Sequence, residues 1–205
     1  MSTVALIDSG VCNLDSARRA LEECGARPLV TEQASDLATA DRIVLPGVGA
    51  FPAAMKSLRS KGLDTALCEA VEDGVPLLAV CLGMQLLAKQ GTEGAPCDGL
   101  AIIDADVIRL EPSESERVPH VGWNEVVRVR QHPVLEGLPP TPDFYFVHAY
   151  HVRCFDPNDV VATTPYCGGF TSVVARDNVV GVQFHPEKSQ GYGRTLLRNF
   201  LAWQC

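Results

Sequence analysis

The sequence predicts an α/β protein with an open, largely parallel, twisted sheet that carries helices on both faces. Two observations indicate this class. Before Gly91, short apolar runs alternate with helix-length amphipathic segments, and such alternation is typical of a parallel sheet. After Gly91, short strand-like runs separated by turns follow one another with almost no helical spacing until a closing helix. We therefore expect additional antiparallel strands in the C-terminal half.

The individual elements follow from the apolar spacing and from the residues that end each run. The helix over 14–24 keeps its apolar residues on one face and ends at Gly25, whereas the strand over 77–80 is apolar throughout. The predicted strands of the first half are 4–7, 27–30, 42–45 and 77–80, and its helices are 14–24, 53–58, 65–72 and 82–88. The second half is predicted to contain strands at 107–110, 125–129, 144–152, 160–164, 172–176 and 179–184 and an amphipathic helix at 191–203.

Composition limits the classes of function. With 205 residues, 46% of them apolar, and no linker, the chain is expected to form one domain over residues 1–205. A net charge of −8 without a basic stretch argues against binding nucleic acid or an anionic membrane. The first residues do not resemble a signal peptide, and no apolar run is long enough to span a bilayer. The eight cysteines include no CxxC pair, so we expect reduced thiols and a cytoplasmic location.

No cofactor and no metal are expected. The sequence contains no P-loop and no glycine-rich phosphate fingerprint. His148, His151 and Cys154 have a spacing that could suggest zinc. Residues three apart on a strand point to opposite faces, however, and 144–152 is predicted to be a strand. The sequence therefore favours a structural or active-site role for these histidines.

The most informative stretch is 76–85, in which an apolar strand leads directly into Cys81 and a helix follows. A cysteine at such a corner has its sulfur lifted out of the sheet. Small neighbours, here Ala79 and Gly83, let the helix begin close to the strand, as in the nucleophile elbow of hydrolases. The helix N-terminus also favours the thiolate, which is the nucleophilic form. Taken alone, a cysteine after an apolar run is more often a buried core residue.

A second motif favours a catalytic role for Cys81 over that of a buried core residue. The apolar strand 179–184 ends in His185, and Glu187 follows two residues later. A thiol nucleophile requires a base and a group that orients the base, and His185 and Glu187 can fill these roles for Cys81. Because open parallel sheets place their chemistry where strands end, the two sites are expected to lie together.

These motifs resemble those of a known family. CLGMQ at 81–85 and HPE at 185–187 resemble the class I glutamine amidotransferases, in which a Cys-His-Glu triad hydrolyses glutamine. PGVG at 46–49 resembles the oxyanion loop of that family. PHVGWN at 119–124 and YFVHAY at 145–150 narrow the resemblance to the glutaminase subunits of imidazole glycerol phosphate synthases, and it covers essentially the whole chain.

The resemblance implies a role for each motif residue. Cys81 attacks the side-chain carbonyl of glutamine, His185 carries the proton, and Glu187 orients the imidazole. The oxyanion is expected to bind backbone N–H groups of Leu82 and of the loop, at Val48 or Gly49. The residues expected to line the glutamine pocket are Gln85, Glu93, His148 and Tyr150. For His148 and Tyr150, which share one face of the predicted strand, a structural role is equally open.

The resemblance also implies a partner. In this family the ammonia passes to a cyclase with a (β/α)8 barrel fold, which forms imidazole glycerol phosphate and AICAR in histidine biosynthesis, so a heterodimer is expected. The residues expected at the interface are Asn13, Trp123, Asn124 and Lys188. Three alternatives remain open at this point: a glutaminase that serves another synthase, a stand-alone cysteine hydrolase on the same fold, and a non-catalytic protein that regulates its partner. The presence of Cys81, His185 and Glu187 together argues against the last alternative.

Overall fold

An eight-stranded sheet crosses the centre of the protein in the computed structural model, which describes residues 2–10 and 14–205. The strands of the described residues are, in chain order, β1 (Thr3–Ile7), β2 (Arg27–Thr31), β3 (Arg42–Gly47), β4 (Leu77–Cys81), β5 (Gln90–Gly91), β6 (Cys97–Asp98), β7 (Ala105–Arg109), β8 (His120–Glu125), β9 (Val127–Arg128), β10 (Asp143–His148), β11 (Tyr150–Cys154), β12 (Val160–Thr164), β13 (Phe170–Arg176) and β14 (Val179–Val182). The α-helices are α1 (Leu14–Glu23), α2 (Ala34–Leu37), α3 (Phe51–Ser60), α4 (Leu63–Glu72), α5 (Leu82–Leu86) and α6 (Gln190–Ala202). Short 3-10 helices occur at Pro133–Leu135, Pro157–Asp159 and Pro186–Lys188.

The central sheet has the strand order β2-β1-β3-β4-β14-β13-β12-β9. Strands β1 to β4 and β14 are parallel, whereas β13, β12 and β9 continue the sheet in antiparallel pairs. β4 lies between β3 and β14 and is buried along its whole length, which accounts for its apolar sequence. Because parallel strands end at the same edge of a sheet, the ends of β3, β4 and β14 lie side by side.

Helices cover both faces of the sheet. Alternate residues of β3 show the division, because Ile43 and Leu45 belong to one buried cluster and Val44 belongs to the other. Helices α3, α4 and α5 contribute to the first cluster, and α1 and α6 contribute to the second. The predicted class is therefore confirmed. None of the helices in the described part of the chain is long and apolar enough to cross a membrane.

Two smaller sheets complete the C-terminal half. β8 and β10 form an antiparallel pair, and β11, β7, β5 and β6 form a four-stranded sheet. Side chains alternate along the pair: Phe144 and Phe146 are buried, whereas Val121, Trp123 and Val147 are exposed. The pair thus has one face on the core and one apolar face exposed.

The structure corrects several expectations about the second half. The single strand expected over 144–152 is two strands, β10 and β11, which pair with different neighbours and are interrupted at Ala149. His148 and Tyr150 therefore do not share one strand face. The strand expected at 125–129 overlaps β8 only at Glu125, because β8 begins earlier, at His120, and it contains the two residues of β9. β14 is parallel to β4, because the chain returns to the middle of the sheet after the antiparallel hairpin.

Candidate active site

Cys81 is the last residue of β4 and occupies an unusual backbone conformation, with φ 56° and ψ −111°. An L-residue in this region is strained by about 1–3 kcal/mol and is usually found at a functional site. The helix α5 begins at the next residue, so the chain reverses its direction at the cysteine. A Cβ atom at Gly83 would lie 2.0 Å from the main-chain oxygen of Leu45, so only glycine lets α5 pack this closely on β3.

His185 and Glu187 follow β14, beside the end of β4. The Nδ1 atom of His185 lies 2.8 Å from a carboxylate oxygen of Glu187. Since a carboxylate accepts, Nδ1 carries the proton and Nε2 is the basic nitrogen. His185 is 2% exposed, and its Nε2 has no hydrogen-bond partner among the described residues. Burial alone lowers the pKa of His185, but interactions with Cys81 and Glu187 outweigh it and raise the pKa to about 9.

The thiol of Cys81 has two polar neighbours besides His185. The Nε2 atom of Gln183 donates to Sγ at 3.6 Å, and Sγ lies 3.9 Å from the carbonyl oxygen of Val147. The Cys81 thiol contributes most to raising the pKa of His185, although no Sγ–Nε2 contact meets hydrogen-bond geometry in the described structure. Sequence analysis missed Gln183, whose only signal is a polar residue within an apolar run.

A cavity of about 240 Å³ opens beside the thiol. Its lining residues are Val48, Gly49, Cys81, Leu82, Gln85, Glu93, Val147, His148, Ala149 and Tyr150. The structure thus brings the residues expected for the oxyanion and for glutamine to the wall of one cavity. Gly49 has φ +102°, in the region that favours glycine, and no atom among the described residues would obstruct a Cβ there.

Glu93 and Gln85 make contacts within the protein as well as lining the cavity. A carboxylate oxygen of Glu93 accepts the N–H of Phe51 at 2.7 Å, which caps the start of α3. The Nε2 atom of Gln85 donates to the carbonyl of Tyr150 at 2.8 Å and to the Oε1 atom of Gln183 at 3.1 Å. These bonds fix the side chain of Gln85 against the cavity wall.

His148 is buried, and both of its ring nitrogens face protein groups. Its Nδ1 donates to the carbonyl of Tyr150 at 2.9 Å, and its Nε2 lies 3.3 Å from Nδ1 of His120. Burial lowers the pKa of His148 to about 3, so the ring is neutral at physiological pH. The amide nitrogen of Asn124 in turn lies 3.2 Å from Nε2 of His120. His148 therefore holds the cavity wall through Tyr150.

Within the described residues, no group of three or more His, Cys, Asp or Glu side chains could hold a metal ion.

Of the residues expected at a partner interface, Trp123 lies on the exposed face of β8 and β10. Trp123 is 48% exposed, and its ring centroid lies 6.1 Å from that of Tyr145 on the paired strand. The Nζ atom of Lys188 lies 5.9 Å from the same tyrosine ring. Asn124 is half-buried because its side chain reaches His120. Asn13 lies outside the described residues.

Comparison with known proteins identifies the family. A family model described as glutamine amidotransferase class-I matches residues 5–203. Imidazole glycerol phosphate synthase subunit HisH 2 of Nitrobacter winogradskyi is 49% identical, and the alignment covers 99% of each chain. Subunit HisH of the same enzyme from Caulobacter vibrioides is 44% identical over all of both chains.

Solved structures agree on the fold. A crystal structure of a glutamine amidotransferase superimposes with a TM-score of 0.76 at 22% identity and covers 97% of each chain. A glutamine amidotransferase from Thermotoga maritima gives a TM-score of 0.72 at 17% identity, covering 98% of this chain and 96% of that chain. The chain belongs to the class-I glutamine amidotransferase family and, within it, to the HisH subunits of imidazole glycerol phosphate synthase.

Proposed function

We propose that this chain hydrolyses L-glutamine to glutamate and ammonia and delivers the ammonia to the cyclase of imidazole glycerol phosphate synthase, in histidine biosynthesis. The observation that carries the proposal is the position of the Cys81 thiol and the His185–Glu187 pair at adjacent strand ends, beside one cavity. The full-length relatives named as HisH subunits support the choice of acceptor enzyme.

The chemistry begins at the sulfur. Cys81 attacks the side-chain amide carbon of glutamine as the thiolate, with the proton held at Nε2 of His185, whose pKa is raised to about 9. His185 then gives this proton to the departing nitrogen, so that ammonia leaves and a thioester remains on Cys81. Water, activated by the same nitrogen, attacks the thioester and releases glutamate. Glu187 holds the Nδ1 proton throughout and stabilises the imidazolium.

Backbone donors stabilise the tetrahedral oxyanion. Leu82 is the first residue of α5, so its N–H has no acceptor within the helix and lies next to the nucleophile. The second donor comes from the loop after β3, at Val48 or Gly49, because Gly47 pairs with Cys81 and the loop begins beside the thiol. Gln85 and Glu93 bind the amino-acid end of the substrate, Glu93 through its negative charge opposite the ammonium group.

A partner would dock over the exposed apolar face of β8 and β10. Val147 belongs both to this face and to the cavity wall, so a protein seated there would also cover the cavity. Ammonia in water at neutral pH is mostly ammonium, which is not nucleophilic, so the product needs a sheltered route to the acceptor. Trp123 and Lys188 would contact the partner, a (β/α)8 barrel, and Asn13 and Asn124 would add to the interface.

Glutamate release measured with the chain alone and with the cyclase tests the proposal. We expect slow hydrolysis alone and faster hydrolysis in the complex, with glutamate and imidazole glycerol phosphate formed in equal amounts. Activation by a different synthase would show that the chain supplies ammonia to that synthase instead. The absence of glutamate release under both conditions would instead indicate a regulatory, non-catalytic protein.

A further inference from the structure

A buried side-chain amide, Gln183, contacts the nucleophile of the site without belonging to the proposed triad. Gln183 follows β14, two residues before His185, and is 0% exposed. Its main-chain N–H donates to the carbonyl of Ser172 at 2.9 Å, which fixes the backbone against β13. Its side chain therefore extends from a rigid part of the sheet.

The hydrogen-bond network determines which end of this amide faces the sulfur. The carbonyl of Tyr150 can only accept, so the nitrogen of the Gln85 amide must point towards it. That same nitrogen lies 3.1 Å from the Gln183 amide, which must present its oxygen there. The nitrogen of Gln183 is consequently directed at Sγ of Cys81, at 3.6 Å. No other arrangement of the two amides gives each contact a donor and an acceptor.

We propose that Gln183 is a positioning residue that holds the Cys81 sulfur in place and stabilises its thiolate by donating an N–H. This inference rests on the proposed function, because it concerns the nucleophile of that reaction. A hydrogen bond to the charged form of a group favours that form, and N–H donors to anions are stronger than those to neutral acceptors.

The test is the pH dependence of alkylation of Cys81 by iodoacetamide, followed by mass spectrometry of the peptide that contains this cysteine. In Gln183→Met the donor is lost at similar side-chain volume, while Gln85 keeps its bond to Tyr150. We expect the pH midpoint of alkylation to rise by about 1–2 units, so that alkylation below the midpoint slows about 10- to 100-fold.

Ser172→Ala is the matched control. Ser172 is fully buried, its hydroxyl has no hydrogen-bond partner among the described residues, and its main-chain carbonyl would still accept the N–H of Gln183. If a substitution loosens this strand pair, the melting temperature of that variant should fall. A pH midpoint of alkylation that rises in Gln183→Met and not in Ser172→Ala would therefore report the loss of the N–H donor. An unchanged midpoint in a folded Gln183→Met protein would overturn the proposal.

Should Gln183→Met fail to fold, the unmodified protein gives the answer by NMR. The side-chain amide protons of Gln183 are then expected to shift with pH at the midpoint of Cys81 alkylation, and signals that do not move over this range would refute the bond. Both measurements are independent of glutamine turnover. A protein that titrates as expected but releases no glutamate would contradict the proposed function and leave the role of Gln183 supported.

Discussion

At the scale of single residues, the strained backbone of Cys81 is held in place by its neighbours. The strands on both sides of β4 pair with it up to its last residues, and α5 starts immediately afterwards. These constraints fix the φ of 56° and leave little room for relaxation. A side chain of similar size can therefore replace the thiol without disturbing the corner. A substitution at Cys81 can thus remove the reaction and leave the fold intact.

Cys81→Ser is expected to abolish glutamine hydrolysis while it preserves folding and partner binding. The hydroxyl is smaller than the thiol and far less nucleophilic, so only the reaction should be lost. Glutamate release and the melting temperature measure the two effects, and the complex should still use added ammonium salts. Cys68→Ser is the control, because the Cys68 thiol donates to the carbonyl of Leu100, away from the cavity. Normal turnover in Cys81→Ser would refute the triad.

The titration of His185 should be visible in the stability of the protein. Its pKa is raised from 6.5 to about 9 in the folded state, so the folded state binds the proton more tightly than the unfolded state. The resulting stabilisation is complete below about pH 6.5 and is lost as the pH rises through about 9; it is on the order of 3 kcal/mol. Urea unfolding at several pH values measures this loss.

Glu187→Gln provides the comparison for this titration. Without the carboxylate opposite Nδ1, the pKa of His185 should fall, and less stability should be lost between about pH 6.5 and 9 than in the unmodified protein. Equal slopes of stability against pH in the two proteins would show that Glu187 does not stabilise the charged ring.

At the scale of elements, the loop after β3 determines whether the oxyanion has a second donor. It connects the end of β3, beside Cys81, to α3, whose first N–H is capped by Glu93. Both ends of the loop are therefore fixed, while Val48 and Gly49 between them are exposed. A loop of this kind can turn one peptide group towards the cavity while its ends remain in place.

Gly49→Val should reduce kcat by about 10²–10³-fold with a much smaller change in KM, because one oxyanion donor is lost. The φ of +102° is unfavourable for valine, although there is space for its side chain. Gly137→Val is the matched control, since Gly137 has φ +70° with open space around it and lies outside the cavity. If kcat stays normal in Gly49→Val, the loop is only a turn.

At the scale of the whole molecule, the cavity and the exposed apolar face of β8 and β10 are continuous. We expect Trp123→Ala to weaken binding of the cyclase about 10-fold or more, because large aromatic residues often dominate interfaces. Ammonia should also escape, so that glutamate exceeds imidazole glycerol phosphate. Calorimetry gives the affinity, and the ratio of the two products gives the leakage.

Phe155→Ala serves as the control for this prediction. Phe155 is 54% exposed but follows β11, which belongs to the other small sheet. Its removal should leave both the affinity and the product ratio unchanged. An equal effect of the two substitutions, or none from Trp123→Ala, would exclude Trp123 from the interface.

The sequence by itself determined the layered class, the boundaries of most elements and the family. Apolar runs such as β4 and the amphipathic pattern of α6 depend on local spacing, which is visible in one dimension, and the motif resemblance is confirmed by the family model. The small residue at Gly83 was also predictable, because a tight corner requires it. The cavity residues were named from the resemblance, and their roles stay predictions.

Only the tertiary structure decided how distant segments meet. It divided the expected strand over 144–152 at Ala149, because β10 and β11 find their hydrogen-bond partners in different sheets. It placed β14 parallel to β4, and it directed the amide of Gln183 at the sulfur of Cys81 through the contacts of Gln85. Strand pairing and the orientation of a buried amide depend on groups far apart in the chain, and local sequence patterns contain no record of those partners.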